Sequence, residues 1–132
     1  MTITGNCKLS EEAKTGDLLE AVYLDRAIKE KDSKEADRDF VLRATYPTLP
    51  LRALVEQAAQ KLKGEQRKGF VVVRGDLGSG KSHALLALYH LISSGKDARP
   101  WLNKWKIKGT VPSGGDRYSP VVGCGRGVLI TK

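Results

Sequence analysis

Cysteine is nearly absent from this 132-residue sequence: Cys7 and Cys124 stand almost the whole chain apart. That excludes a disulfide framework and a cysteine-based zinc cluster, and both read as ordinary thiols. No apolar run approaches the ~20 residues of a membrane span. The N-terminus Met1-Thr2-Ile3-Thr4-Gly5-Asn6 has no basic region followed by an apolar stretch, so no leader is indicated and a cytoplasmic location is expected. There is no internal repeat, and the length allows one domain with a modest core.

Acidic residues run short in the second half. Residues 1–50 carry eight Lys/Arg against ten Asp/Glu, residues 51–100 nine against four, and residues 101–132 six against one. The net charge of +8 therefore sits in the last two-thirds of the chain. Such a surface suits phosphate or nucleic acid, and it is equally what a solvated basic face looks like.

Within that basic part, Gly75-Asp76-Leu77-Gly78-Ser79-Gly80-Lys81-Ser82 spells G-x-x-x-x-G-K-[ST], the loop that wraps nucleotide phosphates. Phe70-Val71-Val72-Val73 ahead of it reads as a strand buried on both faces of a parallel sheet. Ala84 to Ile92 behind it reads as a helix apolar almost all round, hence covered on several sides. Glycines let successive N–H groups curl around an anion, and the helix dipole acts on the same charge. Gly75, Gly78, Ser79, Gly80, Lys81, Ser82 and His83 are the expected ATP contacts, although the side chains of Asp76 and Ser79, at variable positions, are assigned no chemistry. Lys81 should act on the β- and γ-phosphates as the catalytic cation, and the Ser82 hydroxyl should hold Mg²⁺. Arg74 reads either as a further phosphate contact or as a solvent-facing strand end.

Hydrolysis requires a second acid at the end of another apolar strand. After the loop the only acids are Asp97 and Asp116, each placed in a turn, and Val128-Leu129-Ile130 ends in Thr131 and Lys132. The expected fold class is therefore α/β: the N-terminal fragment of a P-loop NTPase, with a helical lead-in, the first strand, the phosphate loop, the first helix and an incomplete parallel sheet. The division expected is 1–47 as a charged helical lead-in, 48–107 as the start of the nucleotide domain, and 108–132 as a glycine-rich tail, truncated or divergent.

Local signals fill in that outline. Asp17 with Glu20 opens a helix running to about Ile28, and Lys29 to Asp39 is a dense run of charges with nothing to offer a core, either linker or exposed helix surface. Leu51, Leu54, Val55, Ala58 and Leu62 fall at helical spacing between Thr48-Leu49-Pro50 and Gly64. Ser93-Ser94-Gly95-Lys96 ends the loop helix, Trp101 to Ile107 forms a short further one, and Val128-Leu129-Ile130 forms a weak second strand. Trp101 and Trp105, interleaved with lysines, suit either base stacking or docking on a core. His83 and His90 lie roughly 10 Å apart along one helix, too far to share a metal, and packing or hydrogen bonding accounts for them. Gly123-Cys124-Gly125-Arg126-Gly127 lacks the dinucleotide spacing and reads as loop.

Several segments together resemble one family. Glu20-Ala21-Val22-Tyr23, Thr45-Tyr46-Pro47-Thr48 with Leu51-Arg52, Leu62-Lys63-Gly64, and Gly80-Lys81-Ser82-His83-Ala84-Leu85-Leu86-Ala87-Leu88-Tyr89-His90-Leu91 resemble the start of large bacterial AAA-like ATPases. These form an uncharacterised-domain family associated with DNA modification and phage defence, and the likeness covers about residues 17 to 107. It implies an ATP-dependent part of a multi-protein system, with DNA, other defence proteins and further copies as partners, and with Gly80, Lys81 and Ser82 as phosphate and magnesium contacts. Family members commonly carry Thr at the position of Ser82 and are several times longer. Two other readings stand beside it: a basic nucleic-acid-binding module whose phosphate loop is vestigial, and a small P-loop kinase, for which no acceptor or lid segment is visible.

Overall fold

The computed structural model of the chain describes residues 8–9, 11–16, 22–64, 71–107, 119–123 and 127–131. In order these form α1 (Glu11–Thr15), α2 (Arg26–Lys29), α3 (Arg38–Ala44), α4 (Leu49–Leu62), α5 (Lys81–Ser94), a 3-10 turn (Gly95–Ala98), α6 (Arg99–Lys104), β1 (Ser119–Gly123) and β2 (Gly127–Thr131).

The helices start and stop where local chemistry directs. Asp37 caps α3, its carboxylate accepting from the N–H groups of Asp39 at 2.9 Å and Phe40 at 3.0 Å. Such a cap contributes about 1 kcal/mol. Thr48 precedes α4 and Pro50 occupies its first turn, where a missing N–H costs nothing. Past its end, the Gly64 N–H returns to the Lys61 carbonyl. The buried residues of α4 are Leu51, Leu54, Val55, Ala58, Ala59 and Leu62, so the spacing in the sequence is the face turned inward. Gly95 closes α5 with a positive φ of 51°.

Helix α5 is the centre of the structure. On one side Ala87, Leu88, Leu91 and Ile92 join Leu42 of α3, Leu51, Leu54, Val55, Ala58 and Leu62 of α4, and Ala98, Leu102 and Ile107. On the other side Leu86 packs with Leu24 and Val41, while Leu85 lies against both clusters. The two strands also approach α5 through their backbones. A helix apolar all round is stable only when enclosed, and here helices and the β1–β2 hairpin share that cover.

The expected α/β architecture with an incomplete parallel sheet is not what forms. Among the described residues the only sheet is a two-stranded antiparallel hairpin, with Ser119 opposite Thr131 and Gly123 opposite Gly127. Val71–Val73 carries no strand; Val71 is 51% and Val72 58% exposed, although Val73 packs against the larger cluster. A strand exists only through its ladder, and no described segment pairs with this one. Phe70 lies outside the described residues.

The weak strand at Val128–Ile130 does form, within β2, and its partner is β1 rather than the segment ahead of the loop. Residues 124–126 and the tail from 108 to 118 lie outside the described residues. The helix expected from Asp17 to about Ile28 is replaced, in its described part, by a turn at Leu24–Asp25 and the short α2. The final helix begins at Arg99, two residues ahead of Trp101, and Ile107 is buried beyond its end.

The charge-dense stretch 29–39 also departs from expectation. Glu35 is only 2% exposed, and its carbonyl accepts a 2.7 Å hydrogen bond from His90 Nε2. His90 is itself buried, and burial holds its pKa below the ordinary value, outweighing the carbonyl contact that favours the charged form.

Leu91 is fully enclosed, so Leu91→Ala is expected to lower unfolding free energy by about 2–5 kcal/mol in urea titration. His90 is harder to protonate folded than unfolded, so its contribution is fully present above about pH 6.5 and is lost as pH falls through the lowered folded value. Urea midpoints measured between pH 7.5 and 5 should fall, and His90→Gln, which keeps an N–H donor, should reduce that dependence, leaving the share of His83, whose pKa burial also lowers.

Candidate phosphate site at the start of α5

The segment from Arg74 to Gly80 is exposed and runs directly into α5. Within it the Ser79 N–H donates to the Asp76 carbonyl at 3.2 Å, closing a turn whose tip, Leu77, is fully exposed. Gly80 lies in the left-handed region at φ 80°, ψ 13° and serves as the N-cap residue. Its carbonyl accepts the first helical bond, from the Ala84 N–H at 2.9 Å. Only a residue without Cβ enters that region freely, which is why glycine stands at the loop-to-helix transition. At Gly75 the demand is different: a Cβ there would come within 2.7 Å of Ser79 Oγ.

Lys81 folds back over this turn. Its ammonium donates to the Gly75 carbonyl at 2.8 Å, to the Asp76 carbonyl, and to Ser79 Oγ at 3.2 Å. An ammonium has three N–H bonds, so these three oxygens saturate it. Ser79, assigned no side-chain chemistry from the sequence, thus supplies one of the three.

Ser82 is half-buried in the first turn of α5, and its hydroxyl has no hydrogen-bond partner among the described residues. One hydroxyl is a poor site for a hard cation by itself, and magnesium there would rely on phosphate oxygens and water for its other ligands. Among the described residues no group of three or more His, Cys, Asp or Glu converges on a metal position.

His83 turns away from the loop and toward α3. Its Nε2 lies 2.8 Å from Thr45 Oγ1, and that hydroxyl is 2.6 Å from the Val41 carbonyl, to which it donates. With its hydrogen so used, Thr45 accepts, and His83 must carry its proton on Nε2. Burial lowers the His83 pKa and keeps the ring neutral at pH 7. Thr45 was not visible as a site residue, because it lies 38 positions from His83 and its local pattern is only that of a helix end.

Asp97 sits in the 3-10 turn after α5, at the opposite end of a helix about 21 Å long at 1.5 Å per residue. There it pairs with Arg38 at 3.4 Å. Asp116 lies outside the described residues. Both tryptophans are docked: Trp101 Nε1 donates to the Leu42 carbonyl at 2.8 Å, and Trp105 packs edge-on against Tyr46 at 5.3 Å between ring centres. Arg52 ties the same region together through the Pro47 and Trp105 carbonyls. Among the described residues no helix is long and apolar enough to cross a membrane.

The DUF499 N-terminal domain model matches residues 7–105, and the chain belongs to that family. The match takes in α1 to α6 and the loop. Comparison with curated proteins and with solved structures gave no match.

The left-handed conformation at Gly80 makes it sensitive to a side chain. Gly80→Ala should cost about 1–2 kcal/mol in chemical denaturation, and Gly80→Asn less, since asparagine enters this region more readily.

Proposed function

We propose that this chain binds ATP through the loop 75–82. The observation that carries the reading is the placement of the Lys81 ammonium over the glycine turn, at the start of a buried 14-residue helix. An ammonium held only by neutral oxygens attracts anions, and phosphate oxygens offer it stronger, charge-assisted bonds than carbonyls do. The positive end of the α5 dipole adds to that attraction. Gly75, Gly78, Ser79, Gly80 and Lys81 form the phosphate-binding set, Ser82 supplies the hydroxyl toward Mg²⁺, and His83 supports them from the side facing α3.

The chain's own residues bind and orient the nucleotide, and hydrolysis by this chain alone is not proposed. Its resemblance to AAA-like ATPases supports a cytoplasmic role as the nucleotide-binding part of a bacterial defence or DNA-processing assembly, where DNA and other proteins are the partners. The alternative of a nucleic-acid module with a vestigial loop would use Trp101 and Trp105 as stacking platforms, and the docking of both rings does not favour it.

A fluorescent ATP analogue titrated with Mg²⁺ tests the proposal. Lys81→Ala is expected to weaken binding by about tenfold or more, the equivalent of a lost charge-assisted bond. Equal affinity of the variant and the wild type would refute the phosphate-site assignment.

A further inference from the structure

A hydrogen bond between Thr45 and His83 joins the end of α3 to the first turn of α5. Thr45 is the C-cap residue of α3 and is only 2% exposed. Its hydroxyl donates to the Val41 carbonyl and accepts from His83. If packing were all that this position required, an aliphatic residue of the same shape would fill it without burying a polar group. What the pair adds is direction, because a hydrogen bond between a rigid ring and a β-branched side chain fixes the rotation of the helix that carries the ring.

That rotation bears on the loop. Successive residues of an α-helix differ by about 100° around the axis, so fixing His83 also fixes the directions of Ser82 and Lys81. Lys81 cannot do this for itself, since its four-carbon stem reaches the loop from a range of helix orientations. Ser82, with a one-carbon side chain, depends entirely on the helix for its aim.

We propose that Thr45 and His83 are positioning residues that lock the first turn of α5 in the orientation from which Ser82 meets the magnesium of a bound nucleotide. This rests on the nucleotide-binding reading above. The clamp therefore governs the magnesium-dependent part of the affinity and leaves the contribution of the Lys81 ammonium largely intact. It also joins the site to α3 and the junction after it, where Leu42 and Pro47 hold Trp101 and Arg52.

The test compares wild type, Thr45→Val, Thr45→Ser and His83→Leu, each titrated with a fluorescent ATP analogue in Mg²⁺ and again in EDTA. Thr45→Val keeps the shape and loses the hydroxyl; it should weaken binding about tenfold in Mg²⁺ and less than twofold in EDTA, as expected for a lost buried hydrogen bond acting through one ligand. Thr45→Ser, which retains the hydroxyl, should remain within about twofold of wild type in both media. His83→Leu should repeat the Thr45→Val pattern and serves if that variant does not fold. Amide hydrogen exchange without nucleotide gives a second reading: the Ala84 N–H should exchange about tenfold faster in Thr45→Val, while amides in the middle of α4 stay unchanged. Equal losses with and without Mg²⁺, no loss at all, or unchanged Ala84 exchange would each overturn the clamp. A wild type that ignores the analogue would instead overturn the nucleotide reading on which it rests.

Discussion

The enclosure of α5 is the constraint on which the rest depends. Leu86 faces one apolar cluster, and Ala87, Leu88, Leu91 and Ile92 face another, so the helix cannot shift toward either without opening the other. Protein interiors are close-packed and give little to such displacement. A glycine turn by itself holds no fixed shape. Joined to a helix gripped on two sides, it presents Lys81 and Ser82 from a rigid base.

Polar contacts refine what the apolar ones establish. His83 and His90 stand two turns apart on α5, and both bond to the segment between Glu35 and Thr45. Both rings are kept neutral by burial and serve as donors, each through Nε2. The hydrophobic effect is non-directional, whereas hydrogen bonds to a carbonyl and a hydroxyl have preferred angles. The same stretch of chain that caps α3 thereby sets how α5 is turned.

Much of this was legible locally. Helix α4 follows from the spacing of Leu51, Leu54, Val55, Ala58 and Leu62, and the end of α5 from Gly95. The need of α5 for cover on several sides was evident from its composition, but not the identity of the cover, since apolar surface is satisfied by any apolar surface. That is how a parallel sheet led by the valines ahead of the loop was expected where helices and an antiparallel hairpin lie against α5, and why those valines were read as buried when Val71 and Val72 are exposed. Glu35 misled for the opposite reason: its charged neighbours announce a solvated stretch, and only the fold reveals that this one residue turns inward.

By itself, then, the amino-acid sequence determined the glycine turn, the lysine and hydroxyl that follow it, and the helix they begin. These depend on φ preferences and on spacings within a few residues. The tertiary structure alone decided that α5 is covered by helices and the hairpin, that Ser79 shares in holding Lys81, and that Thr45 clamps His83. Residues 38 positions apart meet only after the chain has collapsed around a common core, and a pairing of that kind leaves no local trace.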